Sequence, residues 1–264
     1  MKILAIESSG GTAGCALMCD GKLTAEFYVN SKLTHSKTLL PMIDDMLKIN
    51  GMDINEIDAA AVSKGPGSFT GLRIGAATAK GLTLLYDKPI IPVSSLMGLS
   101  VNIYAPDMIM CPVMDARRGE VYCAAYTWDG EVPEALLEDA ALTIDEYLIK
   151  VKETAERENK KCCFLGDGVP VHKEKIVSML GSMCTFAPEH LSLQRAAGIA
   201  LLGGILYSRG ISVRSDDFVP GYLRRPLAEK EKEEGILGDA GQRSLNKISR
   251  GDFKRTKHPL TEQK

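Results

Sequence analysis

The stretch Gly65-Pro66-Gly67-Ser68-Phe69-Thr70-Gly71-Leu72-Arg73-Ile74-Gly75 carries the most chemistry in its spacing. It follows an apolar run of strand length, Ile57 to Val62, and leads into a segment of helix formers ending at Leu82. A strand, a tight Gly/Pro loop and a helix N-terminus, in that order, turn backbone N–H groups toward an anion. Ser68 or Thr70 would cap the helix. The same glycines also read as a turn with close packing, since Gly71, Gly75 and Ala79 recur every four residues as a strip of small side chains. A second set lies at Glu7-Ser8-Ser9 with Thr12: an acid able to hold Mg²⁺ through water, beside hydroxyls able to meet phosphate. Together Glu7, Ser8, Ser9, Gly65, Gly67 and Ser68 form a candidate nucleotide or anion loop, with Arg117 and Arg118 facing them from the second half. The second-half turn Asp115-Ala116-Arg117-Arg118 lacks a hydroxyl, and Gly166-Asp167-Gly168 sets an acid where phosphate would lie. Both features argue against phosphotransfer and make the loop a vestigial one. The two arginines either bind an anion or close against Glu7 or Asp167.

Other chemistry finds less support. His35, His172, His190 and His258 are far apart and never at the i, i+4 spacing of helical metal ligands. Ser8, Ser68 and the cysteines have no nearby His and acid in a nucleophile pattern. Seven cysteines, scattered among apolar neighbours and forming no CxxC, read as reduced thiols of a cytoplasmic protein without a metal site.

The elements that must position these residues occur twice. Strands near 2–7, 13–19 and 22–29, a helix at 36–49, a strand at 58–62, a helix at 70–86 and a strand at 90–93 lead to a helix starting near Ser94. Strands near 109–114, 120–127 and 131–137 then precede a helix from Thr143 to about Glu158. A strand at 162–165, a helix from about Pro170 to Leu180 and a helix from Leu193 to Ser208 follow. Thr143-Ile144-Asp145-Glu146 is a capping box. Strand, acidic turn, strand and Asp-Gly hairpin recur about a hundred residues apart, which predicts a duplicated α/β fold with mixed sheets, flanking helices and a cleft between the halves. We expect a first domain over 1–104, a second over 105–225 and a charged, disordered tail over 226–264.

These residues resemble a known family. Duplicated halves that open with strand, acidic-hydroxyl turn and hairpin are shared by actin, Hsp70 and the sugar kinases. Within that superfamily GPGSFTGLRIG, preceded by an ESS turn and followed by DARRGEVY, is similar to the TsaB (YeaZ) proteins over roughly residues 1–225. The resemblance implies a non-catalytic partner of a TsaD-like subunit in making threonylcarbamoyladenosine on tRNA, with a TsaE-like ATPase in the larger complex. It further implies no cofactor on this chain, with ATP and a metal ion held by the partner. TsaD-type relatives carry a paired-histidine metal motif after the last strand of the first half. Here Val93-Ser94-Ser95-Leu96-Met97-Gly98-Leu99-Ser100-Val101 has no histidine. An ATP-dependent small-molecule kinase is the alternative from another class, and a glycoprotease-type hydrolase a third.

Composition fits a globular chain: 264 residues, 45% hydrophobic and 25% charged, with a formal net charge of −2. An acid at Glu7 interrupts any signal-peptide core, and no apolar run approaches a membrane span. From Gln242 onward Arg243, Lys247, Arg250, Lys254, Arg255, Lys257 and Lys264 face only Asp252 and Glu262. Such a basic tail reads either as a contact to tRNA phosphates or as a solvated segment without a partner.

The helix pair supplies the last expectation. Leu39, Leu40, Ile43, Met46 and Leu47 make an apolar stripe on the first helix, and the second is apolar around most of its surface. Burial within one thick domain would explain both. The resemblance instead implies that Leu39, Leu40, Ile43, Met46, Leu72, Ile74, Ala76, Ala79 and Lys80 form the contact with the partner, or with a second copy of the chain in its absence.

Overall fold

The computed structural model describes residues 1–31 and 33–223. The proposed tail, 226–264, lies outside them. Strand β1 (Lys2–Glu7) pairs antiparallel with β2 (Ala13–Cys19), which pairs with β3 (Lys22–Val29). On its other side β1 runs parallel to β4 (Ala59–Gly65), and β4 parallel to β5 (Ile90–Ser94), giving the order β3-β2-β1-β4-β5. Helix α1 (His35–Ile49) connects β3 to β4, and α2 (Phe69–Leu84) connects β4 to β5. α3 (Ser95–Ser100) follows.

The second sheet repeats this order. β6 (Met108–Asp115), β7 (Glu120–Asp129) and β8 (Val132–Thr143) are antiparallel neighbours, while β9 (Lys161–Leu165) and β10 (Cys184–Phe186) extend the sheet in parallel beyond β6. α4 (Ile144–Glu158), α5 (Val169–Leu180) and α6 (Ala196–Ser208) take the places of α1, α2 and α3. The capping box at α4 forms as the sequence predicts, Thr143 and Glu146 each accepting the other's amide. Strand β8 runs six residues past its expected end at 137, and β10 was not foreseen.

Each sheet buries both faces. α1 and α2 cover one face of the first sheet through Leu39, Ile43, Met46, Ala76 and Ala79. The opposite face is covered by α6, whose Ala196, Ile199, Ala200 and Leu202 pack on Ile3, Ala5, Ala61 and Val93. Reciprocally, Leu96 and Leu99 of α3 pack on Met110, Met114, Tyr126 and Leu165 of the second sheet. The last helix of each half therefore serves the other half's sheet. The two cross where a side chain on Gly198 would stand 2.3 Å from the Gly98 carbonyl oxygen, so only glycine permits the approach. No helix among the described residues is long and apolar enough to cross a membrane.

Candidate functional site

The glycine-rich loop joins β4 to α2, and the Glu7-Ser8-Ser9 turn joins β1 to β2. Parallel pairing of β1 and β4 brings the two together at one end of the sheet. Of the two candidate caps, Ser68 takes the position: its hydroxyl accepts the Gly71 amide at 3.3 Å. The glycines make room for protein rather than for a ligand. A Cβ on Gly67 would lie 2.3 Å from the Ser9 carbonyl oxygen, one on Gly71 2.1 Å from that of Ser8, and one on Gly75 2.2 Å from the Ser8 hydroxyl. The small-residue strip of α2 thus faces inward, onto the turn.

Three amides of these turns are already bonded within the protein. Ser68 N–H donates to the Ser9 carbonyl at 2.7 Å, Ser9 N–H to the Glu7 carboxyl at 2.6 Å, and Ser8 N–H to the Ser63 hydroxyl at 3.3 Å. Glu7 is 1% exposed. Burial pushes its carboxyl up to about 7, against the opposing pull of hydrogen bonds from Ser9, Ser63 and the Ser8 amide. His35 lies at the start of α1, its ring 3.0 Å from the Gly10 carbonyl, so it braces the same turn.

The second-half turns close in the same way. Gly166 N–H donates to Ser192 O, Gly168 N–H to Val113 O, and Ala116 N–H to Glu120 O. Asp115 accepts the Arg117 amide at 2.8 Å, and Asp167 accepts the Asp115 amide at 3.3 Å. Burial raises the Asp167 carboxyl. Arg117 and Arg118 sit on an exposed turn, both with positive φ, held by these backbone bonds. Gln194 was not singled out in the sequence. It is 1% exposed, its carbonyl accepts the Thr12 hydroxyl, and its side chain lies over Gly10, so that a Cβ there would meet it at 2.6 Å.

The helix pair divides differently from expectation. Leu39, Ile43, Met46, Leu72, Ala76 and Ala79 lie in the chain's own core, because those positions turn toward the sheet. Buried against the sheet, these six do not face a partner. Lys80 is also occupied: its ammonium donates to the Asp216 carbonyl in a strap, residues 213–223, that runs along α2. The strap is fixed by Ser215 against Thr83, Phe218 in the core and the Gly221 amide on Lys64 O. What faces outward is Leu40, at 53% exposure, with Pro41, Ala77, Gly81 and Leu84, while Ile74 is half-buried. Along α1 runs a groove of about 620 Å³, lined by Leu40, Pro41 and Leu47 of that helix, by Met52 and Ile54 of the segment after it, and by Leu82 of α2. Its walls are mostly apolar, with Asp44, Lys48 and Asp53 on the lining.

Two sheets of repeated order with exchanged terminal helices define an actin/Hsp70-like fold, in which the Glu7–Ser9 turn and the glycine-rich loop are bonded to each other. A family model described as TsaD: tRNA N6-adenosine threonylcarbamoyltransferase matches residues 29–232. The tRNA threonylcarbamoyladenosine biosynthesis protein TsaB of Bacillus subtilis is 33% identical over 231 residues, covering 88% of this chain and 96% of that one. A tRNA N6-adenosine threonylcarbamoyltransferase of Kosmotoga olearia is 32% identical over 120 residues, 40% of this chain and 36% of that one. The solved structure of YeaZ from Pseudomonas aeruginosa superposes with a TM-score of 0.68 at 25% identity, covering 84% of this chain and 99% of that one. The chain belongs to the TsaB (YeaZ) family.

Proposed function

We propose that this protein is a non-catalytic scaffold subunit in the biosynthesis of threonylcarbamoyladenosine on tRNA, binding a TsaD-like subunit that holds the metal ion and ATP. The observation that carries this reading is the pairing of first-half turns bonded to each other with an outward apolar groove along α1. A phosphate entering the cleft would have to displace the Ser68–Ser9, Ser9–Glu7 and Ser8–Ser63 bonds. The groove offers a partner apolar walls, and outside its lining the exposed small residues Ala77 and Gly81 of α2 allow a helix to approach closely. The same surface would pair with a second copy when the partner is absent, as an isologous contact competing with the partner. A TsaE-like ATPase completes the assembly, and tRNA is met through the partner or through the basic residues after Gln242. The kinase alternative requires the amides of the two turns to be free for phosphate, and the bonds above weigh against it.

Leu40→Asp and Ala77→Glu place charge on the outward faces without entering the core. Each is expected to abolish co-purification with a TsaD homologue and self-association together, while leaving the melting temperature within a few degrees. Burial of an unpaired carboxylate in such a contact costs several kcal/mol. Complexes that survive both substitutions would place the contact elsewhere. Threonylcarbamoyl transfer by the isolated chain would remove the scaffold assignment.

A further inference from the structure

A second cavity, of about 450 Å³, opens where the two halves meet on the side of the strap, away from the α1–α2 groove. Its size lies within the range of small-molecule sites. Asp139 of β8 supplies a carboxylate there, and it is oriented from both halves. The Ser94 hydroxyl, at the end of β5, donates to one oxygen at 2.6 Å, and the Tyr126 hydroxyl of β7 donates to the other at 2.5 Å. A carboxylate accepts about four hydrogen bonds, so two O–H donors hold Asp139 in place and leave it capacity for a ligand. Lys64, at the end of β4, lines the same cavity. Met97, Val219 and Tyr222 contribute apolar surface between the charges. Glu138 and Asp139 set the sign against phosphate, and two carboxylates with one lysine beside apolar surface match a ligand that carries an ammonium group, a single carboxylate and a hydrocarbon side chain.

We propose that this cavity binds a free α-amino acid with an apolar side chain, its ammonium on Asp139, its carboxylate toward Lys64 and its side chain against Met97, Val219 and Tyr222. Tyr126 and Ser94 act as positioning residues. Because Ser94 caps α3 as well as bonding Asp139, occupancy would tie the end of the first sheet to the second.

The test is a thermal-shift and calorimetric screen of the full-length protein against the free amino acids, each compared with its N-acetyl and carboxamide derivatives. At least one free amino acid should raise the melting temperature, as binding to the folded state alone requires. Either blocked derivative should bind roughly tenfold more weakly or worse, about 1.4 kcal/mol. Asp139→Asn and Lys64→Met should weaken binding similarly with an unchanged far-ultraviolet circular dichroism spectrum. Val219→Trp, at an exposed strap position, should fill the cavity without touching the Asp139 bonds, and it decides the matter if Asp139→Asn does not fold. Absence of binding by every amino acid at about 10 mM, far above common metabolite-site constants, overturns the proposal. So does binding that survives blocking of either end, or binding indifferent to Val219→Trp.

Discussion

Glu7 shows how a residue's type can be read from sequence while its role cannot. An acid after the first strand suggests a metal or phosphate contact, yet here it is sealed under its own turn and bonded to the Ser9 amide. Its folded pKa of about 7 exceeds the unfolded reference of 4.5, so between those values the folded state binds more protons than the unfolded one. Stability from this group therefore falls as pH rises from about 4.5 to 7 and is level beyond. Glu7→Gln keeps a neutral hydrogen-bonding group and removes the ionisation. Its stability relative to the parent protein should rise across that window by up to about 3 kcal/mol, since one pKa unit corresponds to about 1.4 kcal/mol. Denaturant melts of both proteins from pH 5 to 8 would show it, and a difference that stays flat with pH would mean that Glu7 is ionised freely in the folded state. The Ser68 cap and the acid were legible because they depend on neighbours in sequence. Gln194 was not, because its contacts to Thr12 and Gly10 cross more than 180 residues and nothing local marks it.

At the scale of elements, periodicity revealed that the helices of 35–49 and 69–84 are apolar but not which neighbour each face meets. Both helices show one stripe toward the sheet, and the strap supplies a cover with no local mark in the sequence, since it is an irregular segment over 130 residues from the Lys80 and Thr83 it contacts. The glycines of α2 separate by the same logic. Gly71 and Gly75 abut the Ser8 backbone and hydroxyl, whereas a Cβ on Gly81 meets nothing within 4 Å. Gly71→Ala should therefore destabilise the chain by about 1–3 kcal/mol, in the range of overpacked cores with backbone shifts. Gly81→Ala, by contrast, should stabilise it by about 0.5–1 kcal/mol through helix propensity. Equal effects in urea melts would contradict the assignment of an inward and an outward edge to this helix. The strand repeat was legible from the turns, because an acidic turn and an Asp-Gly hairpin recur in each half. Strand β10 was not, being three residues long and bounded by a single turn of 3₁₀ helix at Gly181–Met183.

For the whole molecule, the exchange of α3 and α6 makes the halves interdependent. Sequence duplication invites a division near residue 104, yet residues 1–104 taken alone would expose the sheet face formed by Ile3, Ala5, Ala61 and Val93, which α6 covers. Three features hold α6 there. The buried Glu26 carboxylate of β3 pairs with Arg195, the same carboxylate accepts the Ala197 amide at 3.0 Å, and Gly203 lets the helix approach Ala61 so closely that a Cβ would meet it at 2.4 Å. A carboxylate at the first turn of a helix also suits the helix dipole. Removing one partner of such a pair leaves a buried charge uncompensated, which costs about 3–5 kcal/mol. Arg195→Met is therefore expected to loosen α6 and expose the first sheet in hydrogen exchange, while the α4 side of the second sheet stays protected. The fragment 1–104 should bind hydrophobic dye and aggregate when produced alone, and should become soluble on co-expression with residues 105–223, which return α6 to it. A soluble, cooperatively folding 1–104 fragment would show that the first sheet needs no cover from the second half. It would make the two halves independent domains joined by a hinge, where the packing of α3 and α6 describes one cooperative body.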